Sequence, residues 1–155
     1  MSEKRLKIHF VCRGNSFRSR LAEAYANSKK IPAISATSSG IAADHNLNGP
    51  ITWYALRIIK NNNFIEFMSN YWRKTSPEII GENDVIVFMT QRHYDFCQDY
   101  VSQKMFEIWD IEDIQDLGST IRDSNSIIES SEDIYAVITK KVDNLISRLG
   151  DSQIK

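Results

Sequence analysis

Apolar side chains at Leu6, Ile8, Phe10 and Val11 run directly into Cys12-Arg13-Gly14-Asn15, a pattern that predicts a buried strand ending in a tight turn. Leu21, Ala22, Ala24, Tyr25 and Ala26 within Ser19–Ser28 then predict a helix, with Glu23 near its start to complement the helix dipole. Further along, Ala33–Ser39 reads as a short strand. Thr52–Lys60 reads as a helix with Trp53, Leu56 and Ile59 on one face, stopped by Asn61 to Asn63. Val85–Met89 predicts a third strand, Gln91–Tyr100 a helix and Met105–Trp109 a fourth strand. Ser131–Leu149 has the period of a long amphipathic helix, with Ile134, Val137, Ile138, Val142, Leu145 and Ile146 inward.

Strands alternating with helices imply an α/β fold: a three-layer sandwich in which a four-stranded parallel sheet carries helices on both faces. Loops leaving the carboxyl ends of such strands hold the functional groups, and Cys12 stands at the first of these ends, so a binding loop is expected after strand 1. The chain of 155 residues has no internal repeat, low-complexity tract or Pro/Gly-rich linker, so residues 1–155 are read as a single domain. Acidic, turn-rich Asp110–Ser130 is the longest candidate loop, and long loops in small domains often carry function.

Composition narrows the function. Lys plus Arg number 19 against 20 Asp plus Glu, so no overall field draws the chain to nucleic acid or an anionic membrane, and any basic site is local. Met1 to Lys7 is polar, and Ile8 to Val11 is too short for a signal core or a membrane span, which implies a cytoplasmic protein. Two cysteines, Cys12 and Cys97, are too few for a disulfide framework. His9, His45 and His93 show no ligand spacing with them, so neither metal nor cofactor is implied. A cysteine in a reducing compartment is either an inert core residue or a chemical one.

The segment Cys12-Arg13-Gly14-Asn15-Ser16-Phe17-Arg18-Ser19 decides between them. Five residues between Cys12 and Arg18 let the chain curl so that successive backbone N–H groups point inward as an anion nest, with the positive end of the next helix behind it. Gly14 and Asn15 tolerate the left-handed backbone that so tight a loop needs. The same N–H groups, the helix end and Arg18 favour a thiolate, and Ser19 supplies a hydroxyl to the sulfur. Cys12 would attack phosphorus in line while Arg18 grips two equatorial oxygens, and water would hydrolyse the phosphocysteine. The leaving alkoxide or phenolate needs a carboxylic acid from far along the chain. Arg13 and Phe17 would line the entrance, Phe17 stacking on an aryl group or else filling the core. Trp53, Trp72 and Trp109 read as packing residues, and His45 as an exposed loop residue.

The run Val11-Cys12-Arg13-Gly14-Asn15-Ser16-Phe17-Arg18-Ser19-Arg20-Leu21-Ala22-Glu23 resembles the signature of the low-molecular-weight protein tyrosine phosphatases. Ser38-Ser39-Gly40 resembles the family's Ser-Ala-Gly strand end, and Met68-Ser69-Asn70-Tyr71-Trp72-Arg73 its Ser-His-x-x-Arg segment. Val85-Ile86-Val87-Phe88-Met89 is similar to its third strand, and Trp109-Asp110-Ile111-Glu112-Asp113 lies where it carries the acid loop. The resemblance implies a phosphotyrosine-containing protein or small aryl phosphate as substrate and inorganic phosphate as a competitive ligand. It further implies Asp113 as general acid, Asn15 and Ser19 as residues that shape the loop, and Ser38 as a buttress for Asn15.

The chain departs from that pattern in places. Phe17 replaces a second cysteine, so the family's protective disulfide cannot form here; Arg20 replaces a Pro, adding charge at the helix start; Asn70 replaces a frequent His, and Thr90 an Asp. The Asp-Pro pair followed by aromatics becomes Asp113-Ile114-Gln115-Asp116-Leu117, which leaves the proton donor open among Asp110, Asp113 and Asp116. That change motivates a second reading, a phosphate-binding pseudophosphatase with little turnover. Arsenate reductases of the same fold relay a disulfide through further cysteines, and here only Cys97 is available beside Cys12.

Overall fold

In the computed structural model, which describes residues 5–45, 49–101, 103–114 and 123–154, the chain forms four strands and five helices. The strands are β1 (Leu6–Cys12), β2 (Ile34–Gly40), β3 (Val85–Phe88) and β4 (Met105–Ile108). The helices are α1 (Arg18–Ser28), α2 (Trp53–Asn61), α3 (Pro77–Gly81), α4 (Gln91–Cys97) and α5 (Ser124–Ile154). All strand pairs are parallel, in the order β2-β1-β3-β4. The chain leaves β1 toward β2 on one side and later returns to β3 on the other. The carboxyl end of β1, with Cys12, therefore lies where the strand order reverses, and in open α/β sheets such a point opens a crevice.

Burial follows the two faces of the sheet. Ile8, Phe10, Val85 and Val87 point into a large apolar cluster with Leu21 and Ala24 of α1, Ile58 of α2, and Ile138, Val142 and Leu145 of α5. Val11, Ile86 and Phe88 alternate onto the other face and pack with Ile80, Cys97 and Val101. Helices thus cover both sides, as expected for strands buried on both faces.

Two apolar faces differ from the sequence expectation. In α2 the inward residues are Ala55, Ile58 and Ile59, Leu56 is half-buried, and Trp53 is 50% exposed. In α5 the buried stripe is Ile134, Ile138, Val142, Leu145 and Leu149, which turns Val137 outward at 44% exposure. Helix starts reflect capping. Asp123 accepts a hydrogen bond from Ser126 N at 2.9 Å, so α5 begins at Ser124 and not at Ser131. Ser76 accepts from Ile79 N at 3.2 Å ahead of Pro77 and sets α3, a helix with too few apolar positions for its period to be visible.

One polar cluster lies inside the sheet region. His9 Nδ1 is 2.6 Å from Thr37 Oγ1, and its Nε2 is 2.7 Å from Ser39 Oγ, which in turn lies 2.6 Å from Thr75 Oγ1. Thr37 donates to Asn83 Oδ1 at 3.4 Å, so it accepts from Nδ1–H, and Nε2 accepts from Ser39. Burial, with a smaller contribution from Arg73, holds the His9 pKa down to about 3. A folded-state pKa below the unfolded value of about 6.5 means that stability is fully present above pH 6.5 and is lost as pH falls from there toward 3. At its limit the loss is on the order of 5 kcal/mol. The expected NMR result is a His9 ring that stays neutral between pH 7 and pH 5 (about 2 units of the titration range of a free imidazole); a midpoint near 6.5 would contradict this account.

Candidate active site

β1 ends at Cys12, residues 13–17 form the loop, and α1 begins at Arg18, so five residues curl between a strand end and a helix N-terminus. No acidic residue occupies the first turn of α1 and no side chain caps it, which leaves its unpaired amides for another acceptor. Glu23 does not serve the dipole as the sequence suggested. Its carboxylate is buried one turn further on, taking a hydrogen bond from Ser38 Oγ at one oxygen and from Ser69 N (2.6 Å) and Ser69 Oγ (2.7 Å) at the other.

Asn15 is the hub of the loop. Its φ of 57° is the left-handed turn that lets the loop close. Its backbone N–H donates to Cys12 Sγ at 3.3 Å. The Nδ2 group donates to Ser19 Oγ and to Ser38 Oγ, each at 2.9 Å, while Oδ1 accepts from Arg73 N at 3.0 Å. Because Ser19 already accepts from Asn15, its own proton is free to point at the sulfur, 2.8 Å away. Two hydrogen bonds thus reach Sγ. Ser38 donates its hydroxyl hydrogen bond to Glu23, so the chain of bonds runs from a buried carboxylate through Ser38, Asn15 and Ser19 to Cys12.

The loop is also pressed from behind. Gly40 lies opposite Cys12 across the β1–β2 pair, and Ile41 N and Ala42 N donate to Cys12 O (2.9 Å) and Arg13 O (2.8 Å). A Cβ at Gly40 would stand 2.6 Å from Arg13 O and from Asn15 N. Arg20 is fully buried and donates to Tyr71 O at 2.9 Å, and its Nε has no hydrogen-bond partner among the described residues. Burial lowers the pKa of its guanidinium, opposed by Glu23 and by nearby Cys12.

Above the loop lies a cavity of about 330 Å³ with Arg18 and Asp113 in its wall. Arg18 is buried, donates to Ile111 O at 2.8 Å, and its Nη2 lies 3.6 Å from Asp113 Oδ2. The other oxygen of Asp113 accepts from Ile114 N at 2.7 Å. Among the three aspartates left open by the sequence, Asp113 lies in the cavity wall, Asp110 is exposed on a left-handed turn (φ 58°), and Asp116 lies outside the described residues. Leu117 and Gln115 lie there too.

Arg13 is exposed at the rim, Ser16 is buried, and Phe17 is a core residue rather than an entrance residue, packed edge-on against Tyr54 with ring centroids 5.0 Å apart. Tyr54 is half-buried, and burial with the neighbouring Asp113 raises its pKa. Trp109 packs on Phe10, while Trp53 and Trp72 are exposed, Trp72 donating to Ala43 O at 3.0 Å. Thr90 and His93 cap α4 together. Cys97 sits in the apolar cluster across the sheet from the Cys12 side, and burial pushes its thiol up to about 11, so it is placed neither near nor ready to relay a disulfide. Among the described residues, no three His, Cys, Asp or Glu side chains are grouped to hold a metal, and no helix is long and apolar enough to cross a membrane.

A doubly wound sheet whose first strand delivers a cysteine into a Cys-x5-Arg loop, beneath an Arg-Asp pair, is the architecture of the small cysteine-dependent phosphatases. The chain belongs to the low molecular weight phosphotyrosine protein phosphatase family, whose family model matches residues 7–154. Among solved structures it is similar to Vibrio vulnificus Wzb in complex with benzylphosphonate, at 19% identity over 93% of this chain and 99% of that one, with a TM-score of 0.71. It is also similar to the low molecular weight protein tyrosine phosphatase from T. tengcongensis, at 22% identity over 92% and 99% with a TM-score of 0.68. A third neighbour is a thioredoxin-dependent arsenate reductase from Corynebacterium glutamicum, at 18% identity over 98% of this chain and 65% of that one, with a TM-score of 0.70. No curated protein matches the chain.

Proposed function

We propose that this chain hydrolyses phosphotyrosine, or another aryl phosphate monoester, through a phosphocysteine on Cys12. The observation that carries this reading is the sulfur of Cys12, held by Asn15 N–H and the Ser19 hydroxyl, with Arg18 at the other end of the same loop in the cavity wall. A phosphate entering the loop meets the backbone amides of residues 13–18, and Arg18 turns its guanidinium from Ile111 O to two phosphate oxygens. The thiolate displaces the tyrosyl oxygen in line, a new S–P bond replacing the O–P bond, while the Asp113 carboxyl gives its proton to the leaving phenolate. Asp113, now a carboxylate, then takes a proton from the water that cleaves the S–P bond and releases inorganic phosphate.

Asp113 in the cavity wall favours turnover over a binding-only role. The buried Cys97 gives no support to arsenate reduction. Two unpaired thiols suit a reducing compartment, and we place the protein in the cytoplasm, acting on a phosphotyrosine-containing protein. The test is hydrolysis of p-nitrophenyl phosphate between about pH 5 and 7. Turnover is expected, inhibited competitively by inorganic phosphate and abolished by Cys12→Ser; turnover that survives in that variant would contradict the assignment.

A further inference from the structure

We propose that Arg13 and Arg92 form a rim subsite for a second anion, so that the preferred substrates are phosphotyrosines with acidic side chains close by in sequence. The inference rests on the phosphatase reading above and adds the class of peptide that the cleft selects.

Three guanidinium side chains line this cavity: Arg18, Arg13 and Arg92. The chain as a whole is nearly neutral, with a net charge of −1, so this is a local concentration of positive charge and not a sample of a basic surface. Their placement differs. Arg18 is buried at the floor, with 3% of its side chain exposed, where the loop directs a phosphoryl group; the Arg92 side chain is 65% exposed, and Arg13 is exposed as well. Arg13 O is fixed by Ala42 N at 2.8 Å, which anchors the base of this side chain at the mouth, beside the apolar wall made by Ile41 and Ala42. Arg92 comes from α4, which follows β3, and so approaches from the other side of β1. An aryl phosphate running along the Ile41–Ala42 wall to the floor leaves its peptide backbone at the mouth, between these two cations.

Among the described residues, the acids paired with these arginines are Asp113 and Glu112. Asp113 pairs with Arg18 at the floor. Glu112 meets Arg92 at 3.4 Å, an exposed pair of the kind worth at most about 1 kcal/mol, which an incoming carboxylate can replace. The Arg13 guanidinium has no ion-pair partner among the described residues. A carboxylate held between two exposed arginines gains a modest, salt-screened attraction, enough to select among peptides without governing the chemistry.

The test compares two phosphotyrosine peptides that differ only in Glu or Gln at the positions flanking the phosphotyrosine, bound to Cys12→Ser protein so that no turnover is needed. The Glu peptide is expected to bind about 5-fold more tightly at low salt. The preference should fall to about 2-fold or less when Arg92→Gln or Arg13→Gln is added, and likewise at high salt. Equal Kd values for the two peptides, no binding of either, or a preference that survives both substitutions would overturn the subsite. Failure of the wild-type protein to hydrolyse p-nitrophenyl phosphate, which carries no second anion, would instead overturn the catalytic reading and leave the peptide comparison standing.

Discussion

Asp113→Asn is expected to lower kcat for a phosphotyrosine peptide by about 10²–10³-fold, with phosphate still bound. The substitution keeps the side chain's size and its contact with Ile114 N, and removes the proton that the leaving phenolate needs together with the charge that faces Arg18. The loss should depend on the leaving group. A good one such as p-nitrophenolate departs with less help, so its rate should fall less than that of phosphotyrosine. Asp110→Asn serves as the comparison, because Asp110 is exposed on its left-handed turn and absent from the cavity wall; its kcat is expected to change by no more than about 3-fold. Steady-state kinetics on both substrates checks this, and an equal loss at Asp110 would remove Asp113 from the mechanism.

Gly40→Ala should be nearly as damaging although Gly40 touches no substrate. The added methyl would lie 2.6 Å from Arg13 O and Asn15 N and 2.8 Å from Gly14 C, all backbone atoms of the loop that cannot swing aside. The strand or the loop must move, at a cost of about 1–3 kcal/mol in stability. Displacing the nest by even a fraction of an ångström relative to Arg18 is expected to cost about 10²-fold in kcat/KM. Gly81→Ala is the control: nothing lies within 4 Å of a Cβ there, so activity should be retained. Retained activity in Gly40→Ala with an unchanged melting temperature would show that the loop has slack that these contacts do not allow.

What the sequence disclosed and what it hid follow from the range of the interactions involved. The path from β1 through the loop to α1 was legible because a period-two strand, a Cys-x5-Arg spacing and an Ala-rich helix lie within 23 consecutive residues, Leu6–Ser28. The helical stretch at Thr52–Lys60 was legible, but its inner face was not: apolar character alone cannot distinguish Trp53, left at the surface, from Ala55, which a tight interface accepts. Long-range contacts were the most deeply hidden. Glu23 looks like a helix-start carboxylate until Ser38 and Ser69 are brought to it from 15 and 46 residues away. Arg20 reads as an added charge at the helix start, yet the segment carrying Tyr71 covers it. Gly40 matters because of the backbone that passes against it, and that pairing of β2 with the loop exists only once the sheet has formed. Asp113 shows a different limit: the residue type was evident in an acidic stretch, but only the fold separates an aspartate in the cavity wall from one on an exposed turn.

The most direct measurement is rapid acid quench of the protein during turnover of an aryl phosphate, followed by mass spectrometry of the peptide that contains Cys12. A single phosphoryl group on the Cys12 sulfur, absent from Cys12→Ser, is the result expected here. Turnover with no adduct on that sulfur, or with the phosphoryl group on another side chain, would contradict it.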